Sequence, residues 1–196
     1  MEDARAISDL AKTYLKSSYK KALELFEKAA ALDEPYALFC LGKFYRDSNY
    51  GLEQDGYKAA EYFIRAAENA IPNDAAKYLR LAAGIYRYGE AGVTPDAQKV
   101  ISLYEKLDEL EAGGEVETFS SNNKAIFLLA AIYTEGCANL KPDAQKAIEY
   151  LNKAAARGDD WAFYKLAEFY REGKAGIAPD GYKASELLPP IEAGAS

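Results

Sequence analysis

The chain has 196 residues, 49% of them apolar and 28% charged, with a net charge of −7 and a pI near 4.9. That composition belongs to a folded chain, and its acidic balance argues against nucleic-acid binding, which needs a basic face to neutralise phosphates. Histidine is absent, which removes the commonest general base and metal ligand, and with it Ser-His and Cys-His arrangements.

Apolar periodicity predicts five helix pairs, at 3–15/18–31, 35–47/55–69, 74–88/96–110, 122–135/143–157 and 161–172/180–188. The first pair opens with Ala6, Leu10, Ala11 and Tyr14, turns through a short link with Ser18 as the expected helix cap, and continues as "KALELFEKAA". The other four pairs share one bend, from "SNYGLEQDGYKA" (48–59) through "GEAGVTPDAQKV" (89–100) and "GCANLKPDAQKA" (136–147) to "GKAGIAPDGYKA" (173–184). Tyr45, Tyr86, Tyr133 and Tyr170 each stand ten residues before Asp55, Asp96, Asp143 and Asp180, and a lysine follows each Asp by three. Counting from each Tyr as zero, apolar or small residues at −8, −4, −3 and −1 form one helix face. The small residue at −3 (Gly42, Ala83, Ala130 or Ala167) marks a notch for a neighbouring helix.

The fourth bend residue, Gly51, Gly92, Asn139 or Gly176, is expected to take positive φ. The apolar residue after it plugs the loop onto the helices, and the Asp caps the second helix. No Gly-Lys-Ser/Thr follows these glycines, so they turn the chain and do not cradle phosphate. Longer connections fall at 68–74 and at the acidic stretch 110–123.

These residues resemble the Sel1-like repeat family, relatives of the tetratricopeptide repeats. The fourth pair carries the pattern as Ala125, Leu129, Ala130, Tyr133, Gly136, Leu140, Asp143, Lys146, Ala147, Tyr150, Lys153, Ala154 and Ala155. The resemblance implies an all-α, right-handed αα-superhelix spanning 1–196 as one repeat domain, with the first helix of each pair on the concave side. The bend is one residue longer than the usual family form, a variant associated with scaffolds of exopolysaccharide export. The paired cysteines of the disulfide-linked members are missing.

The first-helix face left over after packing runs through −9, −6, −2 and +1. It reads Tyr36, Phe39, Lys43, Arg46; Lys77, Arg80, Gly84, Arg87; Lys124, Phe127, Ala131, Thr134; and Trp161, Tyr164, Glu168, Arg171. Aromatic and basic residues dominate it in an acidic protein, which points to a protein or peptide partner of acidic character. Tyr36, Phe39, Lys43, Arg46, Arg80, Arg87, Phe127, Tyr164 and Arg171 are its candidate contacts. The alternative has Phe39 and Phe127 packed between pairs and the arginines reaching to carboxylate caps.

No enzyme motif, cofactor or metal site is legible. Cys40 and Cys137 read as reduced packing thiols. The longest apolar run, 125–133, is too short to span a bilayer, and "MEDARAISDL" lacks the look of a signal peptide. The expected protein is therefore a non-enzymatic interaction scaffold, cytoplasmic, or periplasmic if a leader has been removed. An envelope or export scaffold and a toxin-neutralising immunity protein are the alternatives.

Overall fold

The computed structural model describes residues 3–114 and 124–187. Most of the acidic connection and the Pro189-Pro190 segment fall outside the described residues. The described chain forms ten α-helices and no β-strand beyond one isolated bridge. Contacts gather it into two compact bodies, 1–117 and 118–196.

In the first body, α1 (Ala4–Tyr14) pairs with α2 (Tyr19–Ala30), α3 (Pro35–Asp47) with α4 (Gly56–Asn69), and α5 (Pro72–Tyr88) with α6 (Ala97–Ala112). In the second, α7 (Lys124–Glu135) pairs with α8 (Ala144–Ala156), and α9 (Asp160–Glu172) with α10 (Gly181–Leu187). The helix starting at Pro72 begins two residues before the expected position, because proline at the first helical turn has no amide to leave orphaned.

Each second helix of the last four pairs starts on its aspartate. The carboxylates of Asp55, Asp96, Asp143 and Asp180 accept the amides of Lys58, Lys99, Lys146 and Lys183 at 2.9–3.1 Å. Ser18 differs from expectation: its side chain makes no capping bond. The four-residue link, 15–18, turns the Ser18 amide back onto the Tyr14 carbonyl at 2.8 Å, and the exposed Ser18 hydroxyl is left to solvent.

The constant Tyr-to-Asp spacing has a backbone cause. The amides of Asp55, Asp96, Asp143 and Asp180 donate to the carbonyls of Tyr45, Tyr86, Tyr133 and Tyr170 at 3.0, 3.0, 2.7 and 2.8 Å. One more or one fewer residue would break that closure. Left-handed backbone occurs at more bend positions than expected. The first position (Ser48, Gly89, Gly136, Gly173) closes the first helix, and the third (Tyr50, Ala91, Ala138, Ala175) lies at φ 51–55°. The fourth is left-handed at Gly51, Gly92 and Gly176 but not at Asn139. There the amides and carbonyls of Cys137 and Leu140 exchange hydrogen bonds, and Ala138 carries the turn instead.

The lysine after each Asp also has a task. Its ammonium lies over the anchor tyrosine of its own pair, at 5.1 Å for Lys58–Tyr45, 4.6 Å for Lys99–Tyr86, 5.0 Å for Lys146–Tyr133 and 4.4 Å for Lys183–Tyr170. Lys21 over Tyr14 at 4.3 Å repeats this in the first pair. Capping amide and cation–π contact thus come from one residue.

The anchor-helix face is the core. Leu41, Ala82 and Leu129 at −4 are fully buried, as are Ile85 and Ile132 at −1. At Gly42 a Cβ would stand 2.7 Å from the Phe63 ring, so the −3 notch is filled by the partner helix. The bend itself packs on the preceding pair: a Cβ at Gly56 would stand 2.6 Å from both the Glu90 carbonyl and Val93, and Thr94 donates its amide to the Tyr57 hydroxyl. In α1 the pattern is only half realised. Ala11 is buried, but Ala6 and Leu10 are exposed, because no helix pair among the described residues precedes α1 to cover them.

Candidate partner-binding surface

In the first body the row on α3 and α5 is built around Phe39. Its ring stacks on Tyr78 at 4.9 Å and lies 6.0 Å from Phe63 and 6.1 Å from Tyr36, so it packs between neighbouring pairs while half-buried. Lysine ammoniums gather on its outer side: Lys77 at 4.4 Å and Lys43 at 5.7 Å from the Phe39 centroid, and Lys12 at 3.8 Å from that of Tyr36. Lys43 and Lys77 are exposed. Lys12 also pairs with Asp9, which holds that carboxyl below its usual range.

The arginines are more engaged than the row alone suggests. Arg46 grips Asp47 through Nε at 2.7 Å and through a terminal nitrogen at 3.2 Å, raising its own pKa and lowering that of Asp47. Arg80 reaches α6, where it meets the fully buried side chain of Glu111 at 3.2 Å. Arg87 lies 5.4 Å from the ring of Tyr88, which is itself 68% exposed. Of the basic row in this body, the lysines present the accessible charge.

In the second body, α7 and α9 flank a groove of about 270 Å³ that includes Phe127, Ala131, Thr134, Trp161, Glu168 and Lys174. Phe127 is half-buried against Ile126, Ala154 and Ala162. Trp161 and Tyr164 are exposed with centroids 6.1 Å apart. Glu168 is held by Lys174 and by Lys165, the latter at 3.0 Å, and their hydrogen bonds lower its pKa. Arg171 is exposed beside Glu172.

Sequence reasoning missed Lys12, Lys165 and Lys174. Lys12 was legible, since it occupies −2 of the first pair as Lys43 does of the second. Lys174 comes from a bend, and nothing in its local sequence marks it.

Among the described residues no three His, Cys, Asp or Glu side chains gather where a metal ion could sit. Cys40 is buried and its thiol is pushed up to about 11 by desolvation, the reverse of what a nucleophile requires. No helix among the described residues is long and apolar enough to cross a membrane.

Stacked helical hairpins that share a bend define a repeat solenoid, an architecture that displays faces for contact. The Sel1 repeat model matches residues 9–34, 35–70, 78–107, 123–159 and 162–188, and the chain belongs to the Sel1 repeat family. Such proteins are generally interaction scaffolds and generally not enzymes. Among solved structures, a Sel1 repeat protein from Oxalobacter formigenes is similar over 94% of this chain, with 21% identity and a TM-score of 0.69. This chain spans half the length of that protein. A Sel1 repeat protein from Klebsiella pneumoniae aligns over 94% of this chain and 84% of its own, at 25% identity and a TM-score of 0.41. The immunity protein Pa5087 of Pseudomonas aeruginosa aligns over 95% of this chain and 81% of its own, at 15% identity and a TM-score of 0.38. No curated protein matches the chain.

Proposed function

We propose that this chain is a non-enzymatic scaffold whose first-helix faces hold an acidic segment of a partner protein, with residues 1–196 working as one repeat domain. The observation that carries the reading is the lysine–aromatic strip of the first body, where Lys12, Lys43 and Lys77 rest on the rings of Tyr36 and Phe39. Carboxylates approaching that strip meet ammonium groups already held in place, and the rings add contact area. Arg46 and Arg87 extend it toward the bends, Arg80 braces it from behind through Glu111, and Phe127, Tyr164 and Arg171 offer related chemistry on the second body. Both thiols are free, which suits a reducing, cytoplasmic compartment.

The test is a quantitative affinity capture from native extract comparing the wild-type chain with Lys43→Glu/Lys77→Glu. The charge reversal should lose the captured partner at least tenfold, and capture by the wild type should weaken as salt rises. Equal recovery by both chains would reject the strip as the contact surface.

A further inference from the structure

The second helices share a further pattern, counted from the lysine that lies over each anchor tyrosine. Three residues after that lysine stand Glu24, Glu61, Glu149 and Glu186, but α6 has Ser102 there. Six residues after it stand Glu27, Glu105 and Asn152 in α2, α6 and α8, but α4 has Ile64. The two exceptions meet. Ile64 and Ser102 line one cleft of about 460 Å³ between α4 and α6, inside the first body. At this junction a carboxylate is withdrawn and an apolar surface is supplied.

Ile64, half-buried, and Leu103, buried, form the apolar part of the cleft. Tyr57, Tyr86 and Lys99 line it where α4 and α6 begin. The Tyr57 hydroxyl accepts the Thr94 amide at 3.2 Å, which leaves its own proton to donate. The Lys99 ammonium lies over the Tyr86 ring and 3.5 Å from its hydroxyl, and among the described residues no carboxylate comes within ion-pairing distance of it. Arg65, by contrast, holds Asp33 at 2.7 Å, and Lys106 faces Glu68 at 3.9 Å. Lys99, Ser102 and Lys106 are exposed, whereas Tyr104, Asp108 and Glu111, on the other face of α6, are buried.

We propose that this cleft binds a small organic acid, whose carboxylate enters beside Lys99 where the other second helices carry glutamate and whose hydrocarbon or aromatic body lies on Ile64 and Leu103. The ammonium and the Tyr57 hydroxyl are donors in want of an anion, and charge-assisted bonds to them fix the head. Repulsion from Glu61 on α4 keeps that head on the α6 side. The volume falls within the roughly 300–1,000 Å³ of small-molecule sites, which combine an apolar lining with a few placed polar groups. The cleft belongs to the second helices, apart from the first-helix strip, and does not depend on the partner proposed for that strip.

A ligand-observed NMR titration of the full chain with phenylpropanoate tests this. The wild type should bind it saturably, and phenylpropanol and phenylpropylamine should bind at least about tenfold more weakly. Ser102→Glu restores the carboxylate of the other second helices at an exposed position and should weaken the acid by about tenfold or more, while Ser102→Gln, of the same size, should keep most of the affinity. Lys43→Glu/Lys77→Glu should bind the acid as the wild type does. A wild type without saturable binding overturns the proposal, as does equal binding of the alcohol or the amine. So does Ser102→Glu with unchanged affinity, or Ser102→Gln as weak as Ser102→Glu, which would make bulk and not charge the cause. A loss in Lys43→Glu/Lys77→Glu would put the acid on the first-helix strip and overturn it too.

Discussion

Ser8 occupies on α1 the −6 position that Phe39 holds on α3, and its hydroxyl is buried without a hydrogen-bond partner. An unpaired buried hydroxyl costs more than the methyl group that could replace it, so Ser8→Ala should raise unfolding free energy by about 1 kcal/mol. Its urea midpoint should move upward, and a downward move would show that the hydroxyl is satisfied. Ala91 and Ala175 face a backbone penalty at φ 53° instead. Left-handed backbone costs an alanine roughly 1–2 kcal/mol, whereas glycine costs about 0.4–1 kcal/mol through the unfolded chain. Ala91→Gly should therefore stabilise by about 0.5 kcal/mol, and a destabilised variant would mean the methyl group packs more than its strain costs. The sequence could not signal these alanines, because residue type alone does not assign alanine to the left-handed region.

The bend, as an element, couples two positions six residues apart. A Cβ at Gly173 would stand 2.7 Å from both the Ile177 carbonyl and the Pro179 ring, and Gly89 and Gly136 face Pro95 and Pro142 in the same way. Only the second pair has a serine at that position, Ser48, and there Gln54 replaces the proline. Gly173→Ala should cost about 2–3 kcal/mol from left-handed strain plus overpacking. Pro179→Gln in the same chain should recover about 1 kcal/mol of it, read as the coupling in a double-mutant cycle. Zero coupling would detach the glycine from the proline. The helices, the Tyr-to-Asp period and the capping aspartates were legible because they depend on local spacing and local hydrogen bonds. The roles of Arg80 and Phe39 were not, since Glu111 lies 31 residues from Arg80 and Tyr78 lies 39 from Phe39. Packing within the third pair brings Arg80 to Glu111, and the stacking of the second pair on the third brings Phe39 to Tyr78. The aspartate-linked lysines fall between these cases: their spacing was visible, but their contact with the tyrosine rings needed the closed bend.

At the scale of the whole molecule, stability should respond to pH at the two extremes and stay level between them. With no histidine in the chain, no side chain with an ordinary pKa near neutrality is available to titrate there. On the acid side, Arg46 lowers the carboxyl of Asp47, and Lys174 and Lys165 lower that of Glu168. Those groups bind protons more readily in the unfolded chain, so their contribution is present above the ordinary carboxylate range and is lost as pH falls below about 4.5. On the alkaline side, burial pushes the Cys40 thiol up to about 11 and the Tyr36 hydroxyl up to about 12, and raises Tyr62 and Tyr78 as well. The folded chain keeps protons that the unfolded chain releases from about pH 9 for the thiol and about pH 10 for the phenols, so stability falls as pH rises through those values. Urea midpoints measured from pH 3 to pH 12 should trace a plateau from about pH 5 to pH 8.5 with a decline on each side. Cys40→Ala should delay the alkaline decline by removing its earliest component while leaving the tyrosine part intact. Stability that rises between pH 9 and pH 11 would mean that the folded chain does not hold the protons of the thiol and the phenols more tightly than the unfolded chain does.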